Sequence, residues 1–78
     1  MDIEQTEKEI KEMIEAQLPL IDPDSDFLFS ELDSLGITTI IMMLSDKYGI
    51  ELTHNHVTPK NFRNTRSLAE MVQTLKEE

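Results

Sequence analysis

A chain of 78 residues with a formal net charge of -9 and no cysteine makes at most one small domain, too short to house both a large core and a deep catalytic pocket, and without the thiols for a disulfide framework or a thiolate metal site. A core of this size rarely supplies more than about 3 to 5 kcal/mol, so most apolar side chains are committed to the fold and exposed ones are informative. The charge is one-sided, with eleven acids against two lysines in residues 1–33 and five of each sign in residues 34–78; such a field repels phosphate backbones and anionic lipid, makes nucleic acid a poor partner, and draws basic protein surfaces.

In the first segment Ile3, Ile10, Met13, Ile14 and Leu18 recur at helical spacing, with Glu4, Glu7, Lys8, Lys11, Glu12 and Glu15 on the other face. Pro19 biases Leu18 away from helical dihedrals and ends the helix nearby. The same N-terminus lacks the apolar run of a signal peptide, and no later segment is long enough to span a bilayer, so a cytoplasmic protein is expected. A loop of turn-forming residues follows, LIDPDSDF, residues 20–27.

The second main helix begins at Asp33 or Ser34, either of which can cap, and runs to Lys47 or Tyr48 before Gly49 stops it, with Gly36 as a weak point in its first turn. Ile37, Ile40, Leu44 and Tyr48 share one face and are expected inside. Leu35, Ile41 and Met42 then lie nearer the surface, because the apolar residues between positions 37 and 44 span more than one face of a helix. IELTHNHVTPKNF, residues 50–62, reads as an irregular connection with a short helical turn around residues 55 to 62. Asn64 or Thr65 caps the final helix, Ser67 with Glu70 offers a second capping pattern, and Leu68, Met71, Val72 and Leu75 form its apolar stripe. The expected fold is all-α, a small bundle of three main helices and one short one, in a single domain over residues 1–78.

Ser34, set between an aspartate and a leucine, is the residue that asks for an explanation. A nucleophilic serine needs a base and an oxyanion pocket, yet the only histidines, His54 and His56, fall in the connection with no third member. A hydrolase motif that shares the letters DSL requires a glycine where Leu32 stands. Asp22, Asp24, Asp26 and Asp33 imitate the spacing of a calcium loop, but Phe27 occupies the position that needs glycine and Asp33 is shorter than the bidentate glutamate such loops use. No metal site is expected, and the acidic stretch reads as a solvated loop. Lys60, Arg63 and Arg66 likewise read as solvated surface.

A hydroxyl at a helix N-terminus can instead hold a phosphodiester, because backbone N–H groups and the helix dipole favour negative charge there. Asp33-Ser34-Leu35, the helix end Tyr48-Gly49-Ile50-Glu51-Leu52, and NFRNTRSLAEMV over residues 61–72 together resemble acyl and peptidyl carrier proteins over nearly the whole chain. The resemblance implies an acyl-carrier-like fold in which Ser34 receives phosphopantetheine from coenzyme A through a separate phosphopantetheinyl transferase. The arm's thiol then carries acyl groups as thioesters, and the protein itself is no enzyme. It further implies that Asp33 and Leu35 help the transferase dock, and that Gly36 keeps the surface beside the arm open.

The sequence departs from that family's familiar pattern in two places. The helix after Ser34 offers Thr38, Thr39, Ser45 and Lys47 with only Asp46 acidic, so its docking face is less electrostatic than in carriers of primary fatty acid synthesis. Leu35, Ile41 and Met42 are expected to form an apolar patch for partner enzymes, with methionine adapting to more than one of them. Glu31 stands where many carriers have glycine. A monomeric, free-standing carrier of fatty acid, polyketide, peptide or unusual lipid synthesis is expected, serving acyl-loading, ketosynthase or related enzymes. The alternative is an acidic helical interaction or calcium-binding module without a prosthetic group.

Overall fold

The first helix, α1 (Ile3–Gln17), opens where Asp2 accepts the Glu4 N–H at 3.0 Å, in a computed structural model that describes residues 2–78. It ends one residue before Leu18, whose N–H donates to the Ile14 carbonyl, as the following Pro19 requires. The acidic loop then leads into a single helical turn, α2 (Leu28–Glu31), in a stretch for which the sequence pattern gives no helix. This turn is fixed from outside, since the Leu28 N–H donates to the Arg63 carbonyl at 2.8 Å and the Leu28 side chain is fully buried.

Helix α3 (Ser34–Tyr48) stops at Gly49, whose φ of 63° is the left-handed conformation that glycine adopts without steric cost. The connection that follows holds one turn of 3-10 helix, His54–His56. It begins slightly earlier than the sequence suggests and is much shorter, because Thr53 caps it and the His56 Nδ1 takes the Thr53 N–H at 3.1 Å. Helix α4 (Thr65–Glu77) is capped by Asn64, which accepts the Ser67 N–H at 2.8 Å while the Ser67 hydroxyl accepts the Asn64 N–H at 3.0 Å. Ser67 therefore completes the cap that Asn64 begins and does not start a second one with Glu70. Thr65, the other cap candidate, is buried. The described residues contain no strand, and the all-α bundle of three long helices is as the sequence implies; the expected short turn is the 3-10 turn His54–His56, and α2 is a further short helix.

The helices meet over Ile10 and Ile14 of α1, Leu28 of α2, Ile40 and Leu44 of α3, and Leu68, Ala69, Met71 and Val72 of α4, with Leu52 and Phe62 supplied by the connection. Each large apolar side chain so enclosed contributes about 1.5–3 kcal/mol. Helix α1 packs chiefly along α4, and both touch α3. On α3, Ile40 and Leu44 are buried as expected, but Ile37 is only half-buried. Ile41, expected near the surface, is half-buried and packs against the core cluster. The apolar stripe of α3 is thus rotated toward Ile41.

Polar ties lock the C-terminal end of α3 to its neighbours. The Tyr48 hydroxyl donates to Glu9 of α1 at 2.9 Å, and Lys76 of α4 donates to the Tyr48 carbonyl at 3.3 Å. Burial, together with the Glu9 carboxylate, pushes the Tyr48 hydroxyl above the usual tyrosine range, and the same hydrogen bond holds Glu9 below the usual glutamate range. Lys11 bridges Asp24 at 2.9 Å and Glu7 at 3.8 Å, and Arg66 reaches Glu7 at 3.6 Å. These are surface pairs worth about 0–1 kcal/mol each; Lys11–Asp24 ties the acidic loop to α1, Arg66–Glu7 ties α4 to α1, and Lys11–Glu7 lies within α1. No helix is long and apolar enough to cross a membrane among the described residues.

Candidate functional site

Asp33 is the N-cap of α3, with extended backbone (φ -94°, ψ -177°) and its Oδ1 accepting the Gly36 N–H at 2.8 Å. That choice between the two cap candidates leaves Ser34 as the first helical residue, exposed to solvent. Gly36 is buried. A Cβ there would lie 3.1 Å from Leu32 Cδ2 and 3.3 Å from Asp33 Oδ1, so the missing side chain lets Leu32 and the capping carboxylate close over the helix start. This corrects the expectation that Gly36 keeps the outer surface open: the room it makes is on the inside of the turn.

No protein group hydrogen-bonds the Ser34 hydroxyl among the described residues, and the Ser34 and Leu35 N–H groups donate to no protein acceptor there. The first turn of a helix leaves such donors free, and with the helix dipole they favour an anion bonded at the serine. Farther along, Thr38 and Thr39 return their hydroxyls to the Ser34 and Leu35 carbonyls at 2.9 and 2.8 Å. Their polarity is spent within the helix, which leaves α3 a less polar outer face than its residue names suggest. Leu35 is 74% and Met42 61% exposed.

Beside the helix start lies a groove of about 310 Å³ lined by residues 17–21, 31–33, 35 and 36. Leu18, Leu20, Ile21, Leu32 and Leu35 make it largely apolar, and Glu31 and Asp33 are its only charged residues. Leu20, at 97% exposure, escaped the sequence reading; the signal present was an apolar residue directly after Pro19 in a turn. A larger groove of about 400 Å³ runs between His56, Lys60 and α4 and touches neither Ser34 nor its neighbours.

The remaining sequence candidates do not join this site. His56 is engaged with Thr53, and no hydrogen bond connects Ser34 with either histidine. The aspartates of the acidic loop are turned to local uses, Asp22 accepting the Asp24 N–H at 2.9 Å and Asp24 pairing with Lys11, and no group of three or more potential ligands gathers among the described residues. Arg66 is drawn to Glu7, so the basic residues near α4 form no common pocket with it.

An exposed hydroxyl at a helix N-terminus, free of a base and flanked by unoccupied N–H donors, suits a covalently attached phosphate ester better than catalysis. None of the curated proteins compared with the chain matches it. The family described as a phosphopantetheine attachment site matches residues 8–75, from within α1 to the last turn of α4. The chain therefore belongs to the phosphopantetheine-attachment family of carrier proteins, whose covalent phosphopantetheine is installed by a modifying transferase and presented to biosynthetic enzymes.

Proposed function

We propose that this protein is a cytoplasmic acyl carrier whose phosphopantetheine is attached to Ser34, serving as a free-standing carrier in fatty acid, polyketide or related lipid or peptide synthesis. The observation that carries the reading is the placement of Ser34 as the exposed first residue of α3, with its hydroxyl unengaged and the N–H groups of Ser34 and Leu35 free. When bound, the group supplies a flexible arm ending in a thiol that holds an acyl unit as a thioester.

The chain's own residues position that arm. The Asp33 cap fixes the first turn and so the direction of Ser34, while the Leu32 contact and the bare Gly36 keep the cap in place. Attachment forms a bond between Ser34 Oγ and phosphorus of coenzyme A, breaks the link to the nucleotide portion, which leaves as adenosine 3′,5′-bisphosphate, and passes the hydroxyl proton to a base of the transferase. Ser34 is modified in this step and is not catalytic. Leu35 and Met42, with the exposed part of Ile41, offer partner enzymes an apolar face on α3. The chain acts as a monomer toward them.

Incubation with coenzyme A and a broad-specificity phosphopantetheinyl transferase, read by intact mass beside a Ser34→Ala control, tests the reading. A gain of one phosphopantetheine in the parent and none in the control is expected. Modification that persists in Ser34→Ala would move the attachment elsewhere, and no gain with several transferases would leave an acidic interaction module.

A further inference from the structure

Between the end of α1 and the start of α3 the chain leaves an apolar groove open to water beside its proposed point of attachment. Leu20 and Leu35, 97% and 74% exposed, stand on its walls, and Leu18, Ile21 and Leu32 line it while packing against the core cluster. These half-buried residues are held by the fold, so the groove is formed before anything enters it. Its volume of about 310 Å³ is at the small end of ligand pockets, which suits a compact apolar group.

Tethering selects the occupant. Asp33, Leu35 and Gly36 line the groove and flank Ser34 in the chain, where the arm is proposed to join. A group linked at Ser34 meets that groove at an effective concentration on the order of millimolar. It therefore fills a weak seat that a free molecule at low concentration would leave empty. The larger groove beside His56 and Lys60 touches neither Ser34 nor its neighbours and has no such advantage.

Chemistry selects the part of the arm. Next to its phosphate, phosphopantetheine carries a pantoyl unit, in which a carbon bearing two methyl groups is followed by a hydroxyl and an amide. The charged residues of the groove are Glu31 and Asp33, which repel the phosphate, and the free N–H groups of Ser34 and Leu35 attract it to the helix start instead. The paired methyl groups match the leucine walls, while the Glu31 carboxylate offers an acceptor to the pantoyl hydroxyl and amide N–H. The thiol and its cargo lie at the far end of the arm, away from residues 33, 35 and 36. We infer that the groove formed by Leu18, Leu20, Ile21, Leu32 and Leu35 seats the pantoyl unit of the arm between uses, and gives it up when a partner enzyme binds the extended arm more tightly. The inference rests on the attachment at Ser34 proposed above.

Methyl and amide NMR spectra of the isotope-labelled full chain, before and after modification by the broad-specificity transferase, test it. Signals of Leu18, Leu20 and Ile21, remote from Ser34 in the sequence, should shift on modification, and nuclear Overhauser contacts should join the pantoyl methyls to those of Leu20 and Leu35. Leu20→Gln alters a residue that lies in water, so the fold is unaffected. Once its modification is complete by intact mass, the contact to Leu35 should be lost and the shifts at Leu18 and Ile21 should shrink. Phe27→Gln, at another exposed apolar position outside the groove, should retain both. Shifts confined to residues 33–38, or pantoyl contacts that are the same in the parent and Leu20→Gln, overturn the seat while leaving the attachment standing. A parent protein that is never modified overturns both.

Discussion

Replacing Asp33 separates the helix that it caps from the enzyme that it is proposed to meet. Its Oδ1 accepts the Gly36 N–H at 2.8 Å, and its carboxylate sits at the positive end of α3. Asp33→Ala removes the acceptor, which costs about 1 kcal/mol at an N-cap, and the charge, which adds roughly 0.3–1 kcal/mol at low salt. A combined loss of about 1.5 kcal/mol lowers Tm by about 6–12 °C in a domain of this length. Asn is as good a cap as Asp, so Asp33→Asn should forfeit only the charge and melt less than half as far below the parent.

Thermal and urea unfolding followed by far-ultraviolet circular dichroism measure both variants. Asp33→Asn melting as low as Asp33→Ala would refute the capping argument, as would an Asp33→Ala variant indistinguishable from the parent. The transferase reaction reads the other half of the residue. If the carboxylate meets a basic enzyme surface, Asp33→Asn should lose modification rate while keeping its stability, with the loss shrinking at high salt. Equal rates for Asn and Asp would confine Asp33 to its structural task.

Phe62→Ala should leave the chain largely unfolded, because emptying a fully buried aromatic site costs about 3–5 kcal/mol, as much as a core of this size supplies; a native-like spectrum with well-dispersed amides would contradict this. Tyr48→Phe should destabilise by about 0.5–1.5 kcal/mol in a pH-dependent way. A lowered Glu9 contributes stability above the ordinary glutamate pKa that is lost as pH falls through its folded value, and a raised Tyr48 contributes stability below the ordinary tyrosine pKa that is lost as pH rises toward its folded value. The parent's advantage should therefore be flat between about pH 5 and 9 and shrink at both ends, and urea titrations showing no pH dependence would count against the tie. Gly36→Ala should bring no stabilisation, since the roughly 1 kcal/mol of helix propensity gained is offset by the push on Leu32 and the Asp33 cap; a higher Tm would mean that those neighbours adjust freely. Met42→Glu, at a position 61% exposed, should slow acyl loading of the modified protein without unfolding it, and unchanged loading kinetics would remove Met42 from the docking face.

The long helices were legible because each carries its instructions locally. Apolar spacing in α1 and α4, Pro19 after α1, Gly49 after α3 and Asn64 before α4 act within a few residues of where they stand, and the structure uses each as a helix boundary or face. The short turn α2 was not legible, because its start is held by a carbonyl from Arg63, far along the chain. Helix α3 shows the limit within a single element. Its apolar residues cover more than one face, so periodicity could favour Ile37 over Ile41 but could not weigh what α1 and α4 present to them.

The site divides in the same way. The sequence by itself determined an all-helical domain and a serine at the start of its second long helix, because capping, helix period and the carrier-like residues around Ser34 are local patterns. Only the tertiary structure decided that Gly36 faces inward under Leu32, that Phe62 belongs to the core, and that Leu20 joins Leu35 across an apolar groove. Those outcomes depend on which distant segments share space, and burial is a property of the packed assembly of elements, not of any one of them.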